Sequence, residues 1–105
     1  MREADLTVTH FCHTFFGMDL TKWRVIFDAH AGKHGFTKEQ IVDAFIEATR
    51  IESYAQTDGK MVKFSGPCHG DALVPELEAI IKIKPRERIV VIYHAQSLTD
   101  VFWNN

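Results

Sequence analysis

The chain has 105 residues, of which 46% are hydrophobic and 25% are charged, which is typical of one folded domain over residues 1–105 and excludes intrinsic disorder. A net charge of -2 excludes a global field that attracts nucleic acid or anionic membranes, so such binding would need a local patch. The polar start MREADLTVTH, the short apolar stretches and the two cysteines predict a cytoplasmic protein with no signal peptide and no membrane partner.

The first half of the chain predicts a strand and then two helices. Residues 5–16 are rich in threonine, valine and phenylalanine, which favours a strand. Residues 23–34 place apolar and histidine side chains at helical spacing, and Gly35 is suited to end that helix. Thr37-Lys38-Glu39-Gln40 has the form of a capping box, which predicts a second helix over about 38–51. The residues expected on its inner face are Ile41, Val42, Phe45, Ile46 and Ala48.

The second half of the chain predicts strands. Residues 60–65 form a short predicted strand. Residues 75–83 could form a helix, but their alternation of apolar and polar side chains and their proline favour a strand, and KPRE forms the turn that follows. Residues 88–95 are apolar on both faces, which is typical of a central strand. The sequence therefore predicts an α+β fold with an N-terminal strand, a two-helix hairpin and then an antiparallel sheet of about three further strands.

Histidines and cysteines are the candidates for metal ligands. His30 and His34 share the predicted inner stripe, where they are either partly buried in the core or flank a cleft. Adjacent residues of a strand point to opposite faces, so Cys12 and His13 do not readily share one metal ion. With no C-x2-C pair and no HExxH motif, we expect no metal and no cofactor. The full zinc-type set is His10, Cys12, His13, His30, His34, Cys68 and His69.

Four cations, Lys82, Lys84, Arg86 and Arg88, alternate around the predicted hairpin turn. They form either a solvated turn that protects a sheet edge or a cation row that grips a phosphodiester backbone.

Tyr93 and His94 end the predicted central strand on opposite faces. An imidazole there could transfer protons near neutral pH, and the tyrosine could donate a hydrogen bond to a phosphate. The alternative is a tyrosine in the core and a histidine at its rim.

HAGKHGFTKEQIVDAF (30–45) resembles the helix junction of the BrnT-type and RelE/ParE-like small toxins, in which KHG precedes an apolar residue and serine or threonine. GPCHGDAL, IIKI and RIVVIYHA are similar to the run of strands in that superfamily, and the resemblance spans about residues 20–97. It implies an mRNA endoribonuclease that is paired with an antitoxin protein and needs no metal. In such an enzyme a base activates the ribose 2′-OH, cations hold the phosphate and an acid protonates the departing oxygen.

By position, the resemblance makes His94 the acid or base and Tyr93 a hydrogen-bond donor. The residues that it implies are His94, Tyr93 and His34 for catalysis and Lys82, Arg86, Arg88 and Lys33 for substrate binding.

Two other functions stay open at this point. The apolar tail 101–103 and the negative net charge favour a non-catalytic protein-binding module on the same fold, and the tail could close the core or form a homodimer contact. The histidine and cysteine set leaves a small metal-binding protein as a third reading.

Overall fold

The computed structural model describes residues 23–29, 35–70 and 72–104. Their elements, in chain order, are β1 (Arg24–Phe27), α1 (Lys38–Ile46), β2 (Arg50–Gln56), β3 (Gly59–Pro67), β4 (Glu76–Lys84) and β5 (Ile89–Ser97). The strands form one sheet in the order β1-β5-β4-β3-β2. Strands β2 to β5 pair in an antiparallel meander, whereas β1 pairs with β5 in parallel. None of the described helices is long and apolar enough to cross a membrane.

The predicted two-helix hairpin is wrong, and so is the sheet of about three strands after it. Within the predicted first helix, Arg24–Phe27 form β1 instead. These four residues pair with 89–92 of β5, and Val25 and Phe27 pack against the core. Pairing with a strand far along the chain overrides the local helical period, and the β-branched RVIF segment fits a pleated sheet. Residues 30–34 and the predicted N-terminal strand 5–16 lie outside the described residues.

The predicted second helix is present as α1, although it is shorter than expected. Gln40 N donates to Thr37 Oγ1 at 3.1 Å and Thr37 N donates to Gln40 Oε1 at 2.9 Å, so the capping box is confirmed. Gly35 adopts the left-handed conformation with φ +82°. The helix ends at Ile46 because β2 begins at Arg50 and pairs with β3.

The core lies between α1 and one face of the sheet. Ile41, Ala44 and Phe45 of α1 are buried, whereas Ile46, which was expected to face inward, is 41% exposed. The rings of Phe45 and Phe64 lie 5.1 Å apart. At Gly66 the helix contacts the sheet backbone so closely that no side chain fits between them.

The sheet face away from α1, called the far face below, carries most of the polar side chains. A β-bulge decides which residues of β5 reach it. Ile81 pairs with Ile92, but Ile80 pairs with His94, so Tyr93 is an extra residue without a register partner. In simple alternation His94 would share the core face with Ile92, and the bulge transfers it to the far face. The far-face residues of β3 to β5 include Met61, Lys63, Ser65, Glu78, Ile80, Lys82, Val91, His94 and Gln96.

Candidate functional site on the far face

A buried carboxylate, Glu78, is the centre of the polar network on the far face. Its side chain is 3% exposed. One oxygen, Oε2, accepts from His94 Nε2 at 2.6 Å and from Gln96 Nε2 at 3.0 Å. The other, Oε1, accepts from the backbone N and the Oγ1 of Thr99, each at 2.7 Å. Both oxygens are therefore satisfied by two donors each.

This network keeps Glu78 ionised. Burial opposes the charge, but the hydrogen bonds from His94, Thr99 and Gln96 outweigh it and hold the pKa of Glu78 below its usual value. An ionised carboxylate with four donors is a fixed anion rather than a group that exchanges protons. Its role in the network is to position its neighbours.

His94 is the member of the network that can exchange protons. Because an ionised carboxylate only accepts hydrogen bonds, the contact at 2.6 Å requires that His94 Nε2 carry a hydrogen. In the neutral ring Nδ1 is then the acceptor. The His94 side chain is 32% exposed, so the pair joins a buried, oriented carboxylate to an imidazole that solvent can reach. That arrangement suits general acid–base catalysis.

The C-terminal segment, residues 98–104, folds back onto this network. Thr99 is held by Glu78, and the ring of Phe102 stacks on His94 with centroids 6.1 Å apart and planes 21° from parallel. The indole Nε1 of Trp103 donates to Ser65 Oγ at 3.0 Å. Phe102 is buried and Trp103 is half-buried, so these rings pack on the sheet of their own chain and only Val101 of the apolar tail is well exposed.

Two cations lie beside this aromatic pair. Lys63 Nζ lies 4.6 Å from the ring centroid of Phe102 and 5.0 Å from that of Trp103. Arg50 Cζ lies 4.3 Å from the Trp103 centroid. Since Phe102 also contacts His94, the ammonium of Lys63 belongs to the same side-chain cluster as the imidazole.

The cations predicted from the sequence are not brought to His94. Arg86 and Arg88 lie in the exposed β4–β5 turn, and β4 runs for about 20 Å between Glu78 and Lys84. Arg88 has φ 57°, a turn conformation. Lys82 shares the far face with His94, but its ammonium is bound elsewhere.

Asp58, in the β2–β3 turn, binds two of the predicted cations. Its carboxylate lies 2.6 Å from Lys82 Nζ and 3.7 Å from Lys84 Nζ, and Lys84 also lies 3.8 Å from Glu87. The hydrogen bond from Lys82 lowers the pKa of Asp58. A cavity of about 470 Å³ opens between the two turns at this end of the sheet, and its lining residues are Thr57, Asp58, Gly59, Pro85, Arg86 and Glu87.

The remaining predicted site residues divide into two groups. Tyr93 lies in the bulge next to His94 and is 39% exposed, whereas Lys33 and His34 lie outside the described residues. Of the zinc-type set, Cys68 is a buried thiol and His69 forms an exposed pair with Glu47 at 3.0 Å. No three His, Cys, Asp or Glu side chains come together as a metal site in the part of the chain that the structure describes.

Sequence reasoning missed the residues that surround His94. The sequence placed Glu78 among the polar residues that alternate along 75–83, although Gln96 and Thr99, shortly after His94, are a signal that a buried acid needs donors nearby. Lys63 and Arg50 could not be connected to His94 without the register of four strands.

Comparison of the chain with protein-family models, with curated proteins and with solved structures finds no match.

Proposed function

We propose that the protein is an endoribonuclease of the toxin–antitoxin type that cleaves RNA without a metal ion, with His94 as its proton-transfer residue. The observation that carries the proposal is the 2.6 Å contact between a solvent-accessible imidazole and the buried, ionised Glu78. A carboxylate so placed fixes both the tautomer and the ring orientation of a catalytic histidine. The KHGFT motif, by which the sequence resembles the toxin superfamily, suggests the same class of enzyme.

The reaction uses Nδ1, the ring nitrogen of His94 that does not bind Glu78. His94 Nδ1 takes the proton of a ribose 2′-OH, and the 2′ oxygen attacks the adjacent phosphorus. The bond from phosphorus to the 5′ oxygen breaks, which leaves a 2′,3′-cyclic phosphate and a 5′-hydroxyl. The departing oxygen needs a proton, and Tyr93 is the proposed donor because it precedes His94 in the bulge and is partly exposed.

Lys63 takes the phosphate-binding role that the resemblance implied for the cations of the turn. Its ammonium contacts the same Phe102 ring that stacks on His94, so it can stabilise the charge that develops on the phosphate oxygens. Lys82 is already bound to Asp58. We therefore do not expect Lys82, Arg86 or Arg88 to form the phosphate clamp.

The test is cleavage of single-stranded RNA in EDTA by the wild type and by His94→Ala. The matched control is His69→Ala, because His69 also pairs with a glutamate through Nε2 but does so on the exposed surface. A second control, Lys82→Gln, removes a cation that is already ion-paired. We expect a cyclic-phosphate product, loss of cleavage in His94→Ala only, and no cleavage at a 2′-deoxy position.

Two results would contradict the proposal. One is equal cleavage by the wild type and His94→Ala, which would assign the activity to another residue or to a contaminating nuclease. The other is cleavage that continues at 2′-deoxy positions, because the mechanism requires the 2′ oxygen as nucleophile.

A second candidate function, binding of a protein partner, is favoured by the outer edge of β2. This strand is last in the sheet, six of its seven residues are exposed, and no described strand pairs with its outer edge. Such an edge can accept a strand from an antitoxin or from a second copy of the chain. Sedimentation of the wild type and of Tyr54→Lys tests the self-pairing: a dimer that dissociates in the variant supports it, and a monomeric wild type excludes it.

A cytoplasmic location fits both candidate functions, since RNA and free thiols occur there.

A further inference from the structure

We propose that Arg50, Lys63 and Trp103, which together we call the cation–indole cluster, bind the phosphates and unpaired bases of single-stranded RNA beside His94. This inference rests on the proposed ribonuclease function and specifies its substrate class. It concerns binding alone, so it can be tested without cleavage.

The strand register places the cluster next to His94. Lys63 lies opposite Ile80, and Ile80 lies opposite His94, so Lys63 and His94 are two strands apart at one level of the far face. Adjacent strands are about 4.8 Å apart, which separates these two backbone positions by about 10 Å. Arg50 lies opposite Ser65, which is two residues farther along β3 than Lys63. The cations thus extend across the sheet from the imidazole towards β2.

The cluster is held in place by the protein itself. Trp103 is fixed by the hydrogen bond from its Nε1 to the buried Ser65 Oγ, and both cations lie within about 5 Å of its ring centroid. Lys63 forms no ion pair with any described residue. Its charge is therefore available to an anion, and its ammonium is already placed beside the two aromatic rings.

Glu52 is an exposed carboxylate beside these cations, and its charge opposes anion binding. It lies opposite Lys63 in the register, and its Oε2 is 3.4 Å from Arg50 Nη2. Both side chains of this pair are about half exposed, at 54% and 51%, and exposed ion pairs contribute little free energy. A phosphate can therefore displace Glu52 from the guanidinium of Arg50. The phosphate can form two parallel hydrogen bonds to that guanidinium.

The chemistry of the cluster favours unpaired RNA. Guanidinium groups and lysines bind phosphates, while a half-buried indole and an arginine plane offer surfaces on which a base can stack. In a duplex the bases are already stacked on one another and their flat faces are covered. The cluster should therefore bind a single strand more tightly than a duplex of the same sequence.

The experiment measures binding of a labelled 2′-O-methyl single strand, which lacks the nucleophile and so is not cleaved. Fluorescence anisotropy over a series of salt concentrations compares the wild type with Arg50→Gln, Lys63→Gln and Arg86→Gln. The last variant loses the same charge in an exposed turn at the other end of the sheet. Removing one phosphate contact should reduce the slope of log K against log salt by about 0.7. Glu52→Gln should bind more tightly than the wild type.

The proposal is supported if Arg50→Gln and Lys63→Gln weaken binding and lower the salt slope while Arg86→Gln does neither. Equal losses in all three variants would show that only net charge matters, and unchanged binding in the first two would remove the cluster from the interface; either result overturns the proposal. Cleavage with unchanged binding in these variants would leave the ribonuclease function standing without this site. Cluster-dependent binding without any cleavage of RNA would support the site and contradict the ribonuclease.

Discussion

Replacing Glu78 by glutamine tests whether the carboxylate network stabilises the fold. The side chain keeps its shape, but one acceptor oxygen becomes an amide donor and the charge is lost. Four hydrogen bonds to an ionised acceptor are affected. The carboxylate also loses its burial cost, and its lowered pKa indicates that the hydrogen bonds outweigh that cost in the folded state. With charged hydrogen bonds worth about 1.5–3 kcal/mol and neutral ones about 1, we expect a net loss of about 1–3 kcal/mol in the free energy of unfolding.

The pH dependence of that loss has a defined sign. Because the folded-state pKa of Glu78 lies below the unfolded value, near 4.5, the carboxylate stabilises the fold fully above that value and the effect disappears as the pH falls through the folded pKa. Urea unfolding of the wild type and Glu78→Gln should therefore show a gap at pH 7 that narrows below about pH 4.5. Glu76→Gln is the control, because this carboxylate accepts from Thr49 on the exposed surface. Equal stability at pH 7, or a gap of the same size at pH 3, would show that the ionised Glu78 carboxylate does not stabilise the fold.

Two further predictions concern packing around the site. In Gly66→Ala the new Cβ would meet the backbone oxygen of Ala44, so α1 has to move away from the sheet. We expect urea unfolding to show a loss of about 1–3 kcal/mol in the free energy of unfolding. Wild-type stability would mean that the helix does not pack this closely on the sheet. In Ser65→Ala the Trp103 indole loses its hydrogen-bond acceptor, at a cost of about 1 kcal/mol in the free energy of unfolding. The fluorescence of Trp103 should shift to the red as the ring becomes more exposed. An unchanged spectrum and stability would mean that this hydrogen bond does not hold Trp103 on the sheet.

Local chemistry accounts for the parts of the fold that the sequence predicted correctly. The capping box of Thr37 and Gln40 depends on residues three apart, and it formed as expected. The strands over 60–65, 75–83 and 88–95 carried alternating or continuous apolar patterns and appear as β3, β4 and β5. Their neighbours in the chain are also their neighbours in the sheet, so no distant contact had to be foreseen.

Non-local contacts account for the errors. β1 is a strand because it pairs with β5, more than sixty residues later in the chain. The local sequence RVIFDAHAGKH carries no signal that predicts this pairing. The candidate site depends on the bulge at Tyr93, which adds one residue and turns His94 away from the core. Its cations depend on the register of β2, β3 and β4. The pattern of charges along the sequence therefore indicated a phosphate-binding site at the turn around Arg86. In the structure, the cations near His94 are Lys63 and Arg50.

Whether His94 transfers protons in RNA cleavage is tested most directly by the ratio of cleavage rates, in EDTA, between the wild type and His94→Ala. His69→Ala is measured beside them. Proton transfer by a positioned side chain contributes about 10²–10⁴-fold, so we expect a loss of at least about 100-fold in His94→Ala and none in His69→Ala. Equal rates for all three proteins would contradict the assignment of His94 as the proton-transfer residue that Glu78 positions.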